Sequence, residues 1–124
     1  MDFKIDTKDS FSTITPLEKE ISAKLTGRLS LKLEEMRQSG SNSFIIDLQQ
    51  CEEMEDAVIP ELLNMHEESY SKGQSLVFTG MSEKIIKLLK KRETDLMLNI
   101  APTMVEAIDI VSMEILEREL LSEE

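Results

Sequence analysis

The sequence predicts an α/β domain with a mixed sheet of four to five strands and about four helices. Two features of the 124-residue chain predict this fold: short apolar runs typical of strands alternate with segments of helical period, and two alternating segments at the start read as a hairpin. Strands connected by helices favour right-handed crossovers and a largely parallel sheet. The length is that of one domain, so we expect residues 1–124 to form a single domain.

The first two predicted strands lie at residues 2–7 and 11–15. Phe3 and Ile5 alternate with polar residues, which is the period of a half-buried strand, and the second segment alternates in the same way after a short turn. The two strands therefore predict a hairpin, and Pro16 ends the second of them or lies at its edge.

Residues 18–38 have the apolar period of a helix. The residues that recur every three or four positions are Ile21, Leu25, Leu29, Leu33 and Met36. Gly27 weakens this helix by about 1 kcal/mol relative to alanine, and Gly40 is well placed as its C-cap.

Three short apolar runs follow, at residues 44–48, 76–79 and 96–98. The first two have apolar residues at consecutive positions, which is typical of strands buried on both faces. The third, Leu-Met-Leu, predicts a shorter strand.

A second helix is predicted at residues 57–72. Asp56 is predicted to be its N-cap, because a carboxylate at that position accepts the free amides of the first turn. Pro60 fits only if the helix starts close to it, since proline is tolerated in the first turn but not deeper.

Two further helices complete the predicted domain. Residues 83–92, capped by Ser82, carry five basic residues: Lys84, Lys87, Lys90, Lys91 and Arg92. A solvated face is the favoured interpretation, but these residues are also the one basic patch of an acidic chain, so a binding role stays open. The last helix begins at residue 102 or 103, and the Glu- and Leu-rich residues 114–124 are expected to form a C-terminal helical extension.

The chain has 25 acidic and 14 basic residues and a net charge of -11. This charge argues against nucleic acid and against an anionic membrane as partners, because both attract a surplus of Lys and Arg. A basic patch on another protein is the partner that the charge favours. An equally good interpretation is that the charge only keeps the domain soluble.

The sequence also predicts a location. The single cysteine, Cys51, excludes an internal disulfide and with it the framework of a small secreted protein. Residues 1–20 hold several charges and lack the apolar stretch of a signal peptide. No run of about 18 apolar residues is present. We therefore expect a cytoplasmic protein.

Catalytic and metal-binding patterns are missing, so we predict no enzyme, no metal site and no cofactor. One histidine and one cysteine cannot form a Cys-His zinc site, and no nucleophile elbow or glycine-rich phosphate loop occurs. His66 lies on an apolar helix face, which favours a histidine at the edge of the core over a triad member. The remaining candidate is an acidic loop, which we interpret as solvated rather than cation-binding: Glu52, Glu53, Glu55 and Asp56.

Several segments stand in a fixed order between residues 44 and 108. They read Ile-Ile-Asp-Leu at 45–48, Met-Glu-Asp-Ala-Val-Ile at 54–59, Leu-Val-Phe-Thr-Gly-Met-Ser at 76–82 and Val-Glu-Ala-Ile at 105–108. In order and spacing they resemble the STAS domains of anti-sigma factor antagonists. The resemblance covers about half of the chain, and it implies a single STAS-like domain.

The same resemblance shows where this chain departs from the family. The serine that is phosphorylated in the family falls on Ala57, and the serine before it falls on Asp56; the family aspartate and glycine fall on Glu55 and Val58. Phosphorylation adds a charge of about -1.5 to -2, and alanine has no hydroxyl to accept it. Asp56 would place a fixed negative charge at the position before Ala57, although a helix cap is its simpler role.

What the resemblance implies is a non-catalytic regulatory module that binds a protein partner, either a kinase-like anti-sigma factor or a PP2C-type phosphatase. The implied binding surface is Met54, Glu55, Asp56, Ala57, Val58, Ile59 and Glu61. Its apolar members would contact the partner and its carboxylates would complement a basic surface. For Ile59, a place in the core is an equally good interpretation.

The alternative function is a structural one, self-association into a homodimer. The tail after residue 114 carries four apolar residues that would form a strip for a second copy: Ile115, Leu116, Leu120 and Leu121.

Overall fold

A five-stranded sheet forms the centre of the computed structural model, which describes residues 3–122. In chain order the elements are β1 (Phe3–Thr7), β2 (Ser12–Pro16), β3 (Glu20–Ile21), α1 (Ala23–Gln38), β4 (Ser43–Asp47), β5 (Glu53–Met54), a 3₁₀ turn (Asp56–Val58), α2 (Ile59–Ser71), β6 (Ser75–Thr79), α3 (Glu83–Lys91), β7 (Ile100–Ala101) and α4 (Met104–Ser122). The predicted α/β fold, with a mixed sheet and four helices, is confirmed for these residues.

The strands of the sheet lie in the order β1-β2-β4-β6-β7. β1 and β2 are antiparallel, with Phe3 opposite Pro16 and Thr7 opposite Ser12, which confirms the predicted hairpin. The other neighbouring strands of this sheet are parallel, as expected when helices connect them. β3 and β5 form a separate parallel pair.

The side chains of the central strands alternate between the two faces of the sheet. Phe44 and Ile46 of β4 pack in one core cluster with apolar residues of α1, α2 and α3. Ile45 lies between them and packs with Val77 of β6 and Val111 of α4 in a second cluster. We call the two sides the three-helix face and the α4 face. Because both faces are covered, β4 and β6 are buried along their whole length.

The first helix begins later than the sequence predicts. α1 starts at Ala23 because Ser22 is extended and its hydroxyl accepts the backbone N–H of Leu25 at 3.2 Å, as an N-cap does. Residues 20–21 form β3 instead, and Ile21 reaches the core from this strand. Ile21 therefore matches the apolar spacing of α1 although it does not lie in that helix.

The prediction of a strand at residues 96–98 is wrong. The backbone N–H of Met97 donates to the carbonyl of Thr94 at 3.1 Å, which closes a turn, and the last strand is β7. Leu96 is 93% exposed, whereas Leu98 is buried. The apolar run therefore contributes one side chain to the core and does not form a strand.

α4 reaches the end of the described residues. Its start is capped by Thr103, whose hydroxyl oxygen accepts the backbone N–H of Glu106 at 3.2 Å. Residues 114–122 of the predicted extension are helical, and residues 123–124 lie outside the described part of the chain. Within residues 3–122, no helix combines the length and apolarity needed to cross a membrane.

Candidate functional site

The predicted partner-binding segment, residues 54–61, is held in place by the small β3–β5 pair. Met54 of β5 lies opposite Ile21 of β3. The backbone N–H of Glu55 then donates to the carbonyl of Ile21 at 3.1 Å. These contacts join residues more than thirty positions apart, and they fix the direction in which the chain enters the 3₁₀ turn.

Gly80 shapes the loop that leads into this segment. Its φ is +73°, and a Cβ atom there would lie 2.6 Å from Oδ1 of Asp47 and 2.9 Å from the backbone nitrogen of Gln49. Only glycine fits such a close approach in this backbone region. The Asp47 carboxylate also accepts the backbone N–H of Gln49 at 3.1 Å, so the chain leaves β4 along a defined path.

Ala57 is exposed in the 3₁₀ turn just before α2. Its methyl group offers no hydroxyl, so the position that the family resemblance assigns to phosphorylation is accessible but has no acceptor atom. Pro60 lies in the first turn of α2, where proline is tolerated, as the sequence predicts.

Val58 and Ile59 are not available to a partner, in contrast to the prediction. Val58 is 0% exposed and Ile59 is 5% exposed, and both belong to the core of the three-helix face. Val58 ends the 3₁₀ turn and Ile59 begins α2, so the side chains at this junction fill the core and not the surface. For Ile59 the core interpretation is thus the one that the structure supports.

The predicted capping role of Asp56 is also wrong. Asp56 is the first residue of the 3₁₀ turn, α2 follows Val58, and no side chain of the described residues caps the start of α2. The carboxylate of Asp56 instead pairs with the guanidinium of Arg92 at the end of α3. Sequence spacing gave no signal of this contact, since 36 positions separate the two residues.

Glu55 caps a different helix. Its Oε1 accepts the backbone N–H of Ala23 at 3.0 Å, at the start of α1. A carboxylate at this end of a helix is stabilised by the free amides and by the helix dipole. Glu61, half-buried in α2, accepts a hydrogen bond from the hydroxyl of Thr26 in α1. All three carboxylates of the predicted surface therefore have partners within the chain.

The side of the turn that faces α3 forms a groove of about 290 Å³. Its lining residues are Met54, Asp56, Lys84, Lys87, Leu88 and Lys91. Nζ of Lys84 lies 2.5 Å from Oε1 of Glu53. This hydrogen bond lowers the pKa of Glu53 from its usual value and raises the pKa of Lys84, and the charge attraction between the two groups adds to both shifts.

The structure thus joins part of the basic helix to the predicted surface. Met54 belongs to both, and the lysines were noted in the sequence only as a solvated face with an open binding role. Leu88 is a groove residue that the sequence analysis did not single out. Its position among lysines on a helix was the available signal, but only the fold shows that it borders Met54.

Cys51 and His66 show no catalytic arrangement. Burial, followed by the charges of Glu18 and Asp47, raises the pKa of the Cys51 thiol to about 11, so the thiolate is disfavoured. Burial lowers the pKa of His66, and its Nδ1 is buried without a hydrogen-bond partner among the described residues. Residues 3–122 contain no group of three or more His, Cys, Asp or Glu side chains placed to hold a metal ion.

No protein-family model matches the chain, and no curated protein matches it in sequence. Solved structures share its fold. The protein TM1081 of Thermotoga maritima is similar with a TM-score of 0.77 at 20% identity, over 89% of this chain and 94% of that one. The anti-sigma factor antagonist SpoIIAA of Bacillus, in its unphosphorylated form, has a TM-score of 0.69 at 15% identity, over 90% and 96% of the two chains.

An anti-sigma factor antagonist of Mycobacterium paratuberculosis is similar to the same degree, with a TM-score of 0.70 at 15% identity over 90% of this chain and 93% of that one. The predicted STAS-like fold is therefore confirmed. At 15–20% identity, the likeness is one of fold.

Proposed function

We propose that the chain is a non-catalytic regulatory module that binds a protein partner through the surface around the 3₁₀ turn, and that phosphorylation at residue 57 does not switch it. The exposed methyl group of Ala57, in a fold shared with anti-sigma factor antagonists, is the observation that carries this proposal. SpoIIAA has been solved in unphosphorylated and phosphorylated forms. In this chain the position assigned to phosphorylation by family resemblance lacks the hydroxyl.

Two properties of the turn support a docking role. Val58 and Ile59 anchor it in the core, so its exposed side chains are presented from a rigid base, which limits the entropy lost on binding. Asp56 of the turn also lines the groove beside α3, whose apolar residues are Met54 and Leu88. The partner we propose is a kinase-like anti-sigma factor or a PP2C-type phosphatase. A cytoplasmic location remains a prediction from the sequence.

Binding and phosphate transfer test the proposal together. Purified kinase-like anti-sigma factors and PP2C-type phosphatases are titrated into the full chain by calorimetry, and kinase reactions with labelled ATP are run in parallel. We expect one of these proteins to bind and the wild-type chain to incorporate no phosphate at residue 57. The Ala57→Ser variant is expected to accept phosphate from a kinase that binds.

Ala57→Asp locates the interface. A carboxylate at this exposed position is expected to weaken partner binding about tenfold or more, equivalent to about 1.4 kcal/mol. Ser112→Asp, at an exposed position of α4, is the matched control and should leave binding unchanged. Absence of binding by every candidate partner, or equal effects of the two variants, would reject the proposal.

Self-association through α4 is the second candidate function. Leu116 is 55% exposed and Leu120 is 57% exposed, and they lie four positions apart on one side of the helix, with Met113 beside them. Ile115 packs against the core of the α4 face and is removed from the predicted strip. Light scattering of the wild-type chain and of Leu116→Glu tests this function: a dimer that the variant converts to monomer supports it, and a monomeric wild type rejects it.

A further inference from the structure

The groove between the 3₁₀ turn and α3 combines an apolar floor with a basic rim. Met54 and Leu88 are both half-buried and pack against the core of the three-helix face. Lys84, Lys87 and Lys91 surround them. Asp56 also lines the groove and pairs with Arg92, so the lysines outnumber the one acidic residue of the lining. Apolar surface bordered by an excess of one charge favours a partner of the opposite charge.

The charge of this region is opposite to that of the whole chain. Residues 83–92 hold five basic residues and one acidic residue, whereas the chain as a whole has a net charge of -11. Lys84 and Lys87 are mostly exposed, with side-chain exposures of 71% and 74%. At physiological salt the acidic remainder of the surface is screened beyond about 8 Å, so a docking partner responds mainly to the local charge.

The neighbouring carboxylates neutralise only part of this charge. Glu53 pairs with Lys84, Glu83 pairs with Lys87 at 3.4 Å, and Asp56 pairs with Arg92. Among the residues that the structure describes, Lys91 has no carboxylate within 4.0 Å. Exposed ion pairs of this kind are weak and can be exchanged for pairs with a partner. The groove therefore keeps the capacity to bind additional carboxylates.

We propose that this groove binds an acidic segment of the partner protein, with an apolar side chain of that segment seated between Met54 and Leu88 and its carboxylates on Lys87 and Lys91. The inference rests on the proposed function in taking the occupant to be a protein that docks beside Ala57. It replaces the basic partner that the acidic composition favoured, because three lysines and only one carboxylate, that of Asp56, line the groove.

The shape and chemistry of the groove favour this occupant over a nucleic acid. A phosphate backbone would leave the apolar floor uncovered, whereas a protein segment buries it. A methionine in the floor adapts its shape to the side chain it meets. The groove of about 290 Å³ has room for a few side chains, so we expect a short segment rather than a broad surface.

Peptide titration of the full ¹⁵N-labelled chain tests the inference without knowledge of the natural partner. Two synthetic peptides share the same leucines, and the flanking positions are glutamates in one and lysines in the other. We expect the glutamate peptide to shift the amide signals of Met54 and of residues 84–92, and to bind more weakly as salt is raised. Equal shifts with the lysine peptide, or no shift with the glutamate peptide, would overturn the inference.

Charge reversal supplies the matched variants. Lys87→Glu/Lys91→Glu is expected to lower the affinity for the glutamate peptide at least tenfold. The control is Lys4→Glu/Lys8→Glu, on β1 and in the turn after it. Like the test pair, it changes one lysine that forms an ion pair, Lys8 with Asp6 at 3.2 Å. Its other lysine, Lys4, has no carboxylate within 4.0 Å among the described residues. A similar loss of peptide affinity in both variants would show that only the net charge of the chain matters, and would contradict a local site. Binding of a DNA duplex in place of the peptide would also overturn it.

The same variants separate this inference from the proposed function. If a kinase-like or phosphatase partner binds the wild-type chain and Lys87→Glu/Lys91→Glu equally well, the groove is not the acidic docking site although the proposed function stands. If none of these partners binds but the glutamate peptide occupies the groove, the inference holds for an acidic segment and the assignment of the partner class fails.

Discussion

The two faces of the sheet are covered in different ways. On the three-helix face, α1, α2 and α3 enclose a continuous apolar core that includes Phe44 and Phe78. On the α4 face, within residues 3–122, a single helix supplies the cover, and its buried apolar residues are Ala107 and Val111.

Hydrogen bonds add to the smaller apolar contact of the α4 face. The hydroxyl of Tyr70 donates to Glu114 at 2.7 Å and accepts from the amide of Asn99. Arg118 donates to the hydroxyl of Ser75 at 3.0 Å. Directional bonds specify where α4 lies, whereas apolar burial provides most of the stability of the opposite face. The candidate site is built on the three-helix face, and we expect the larger apolar core of this face to resist deformation.

The largest expected effect compares neighbouring isoleucines of β4 that point to opposite faces. Ile46→Ala is expected to cost about 4 kcal/mol and Ile45→Ala about 2 kcal/mol, within the usual range for such truncations. Both side chains are fully buried. The difference arises because one helix can move to fill a cavity more easily than three packed helices. Urea unfolding measures both free energies, and equal values would remove the contrast between the faces.

A smaller effect tests the polar contacts of α4. Tyr70→Phe keeps the ring but removes the hydroxyl that joins Glu114 and Asn99, and is expected to cost about 1–2 kcal/mol. Hydrogen exchange should become faster mainly in α4. Ser71→Ala is the control, since it removes the neighbouring exposed hydroxyl, bonded to Glu68 at 2.8 Å, and should change stability by less than about 0.5 kcal/mol. A uniform change in exchange would show that the bonds do not position α4.

Gly27→Ala tests the solvent side of the three-helix layer. Gly27 lies in the second turn of α1, and a Cβ atom there would meet nothing within 4 Å apart from its own stretch of the helix. Alanine should therefore stabilise the protein by about 0.5–1 kcal/mol through helix propensity. Gly40 is equally open but has a φ of +103°, so Gly40→Ala should destabilise. Thermal unfolding compares the stability of the two variants. A lower stability of Gly27→Ala would reveal a contact on the solvent side of α1.

The effect expected to be smallest at neutral pH concerns His66, in α2 on the side of Tyr70. Burial lowers its pKa below 6.5, with the charges of Glu114 and Glu67 acting in the opposite direction. The unfolded chain therefore takes up a proton first as pH falls. The stability due to neutral His66 is present above about pH 6.5 and is lost as pH falls through the folded pKa. Urea unfolding from pH 7.5 to about 5.5 should show a smaller loss in His66→Gln than in the wild type; equal losses would contradict this role.

Local pattern was sufficient for most of the fold. Burial can be predicted from the continuous apolar runs at β4 and β6 and from the helical period of α1 and α2. Both patterns involve only residues that are close together in the sequence. The same reasoning misplaced the start of α1 and the last strand. Ile21 fits a helical spacing but is drawn into β3 by pairing with Met54, and Leu96 is apolar but 93% exposed.

The sequence by itself determined the order of the four helices and of the main-sheet strands, although it missed the β3–β5 pair and misplaced the last strand. It also determined the mixed sheet and the absence of a hydroxyl at Ala57, because these follow from residue type and from spacing along one chain segment. The tertiary structure decided which side chains of the candidate surface are free. Asp56 meets Arg92, Glu55 meets the start of α1, and Val58 is drawn into the core. Such pairings join segments 30 or more positions apart, so charge and burial at the surface are settled only when the sheet and helices assemble.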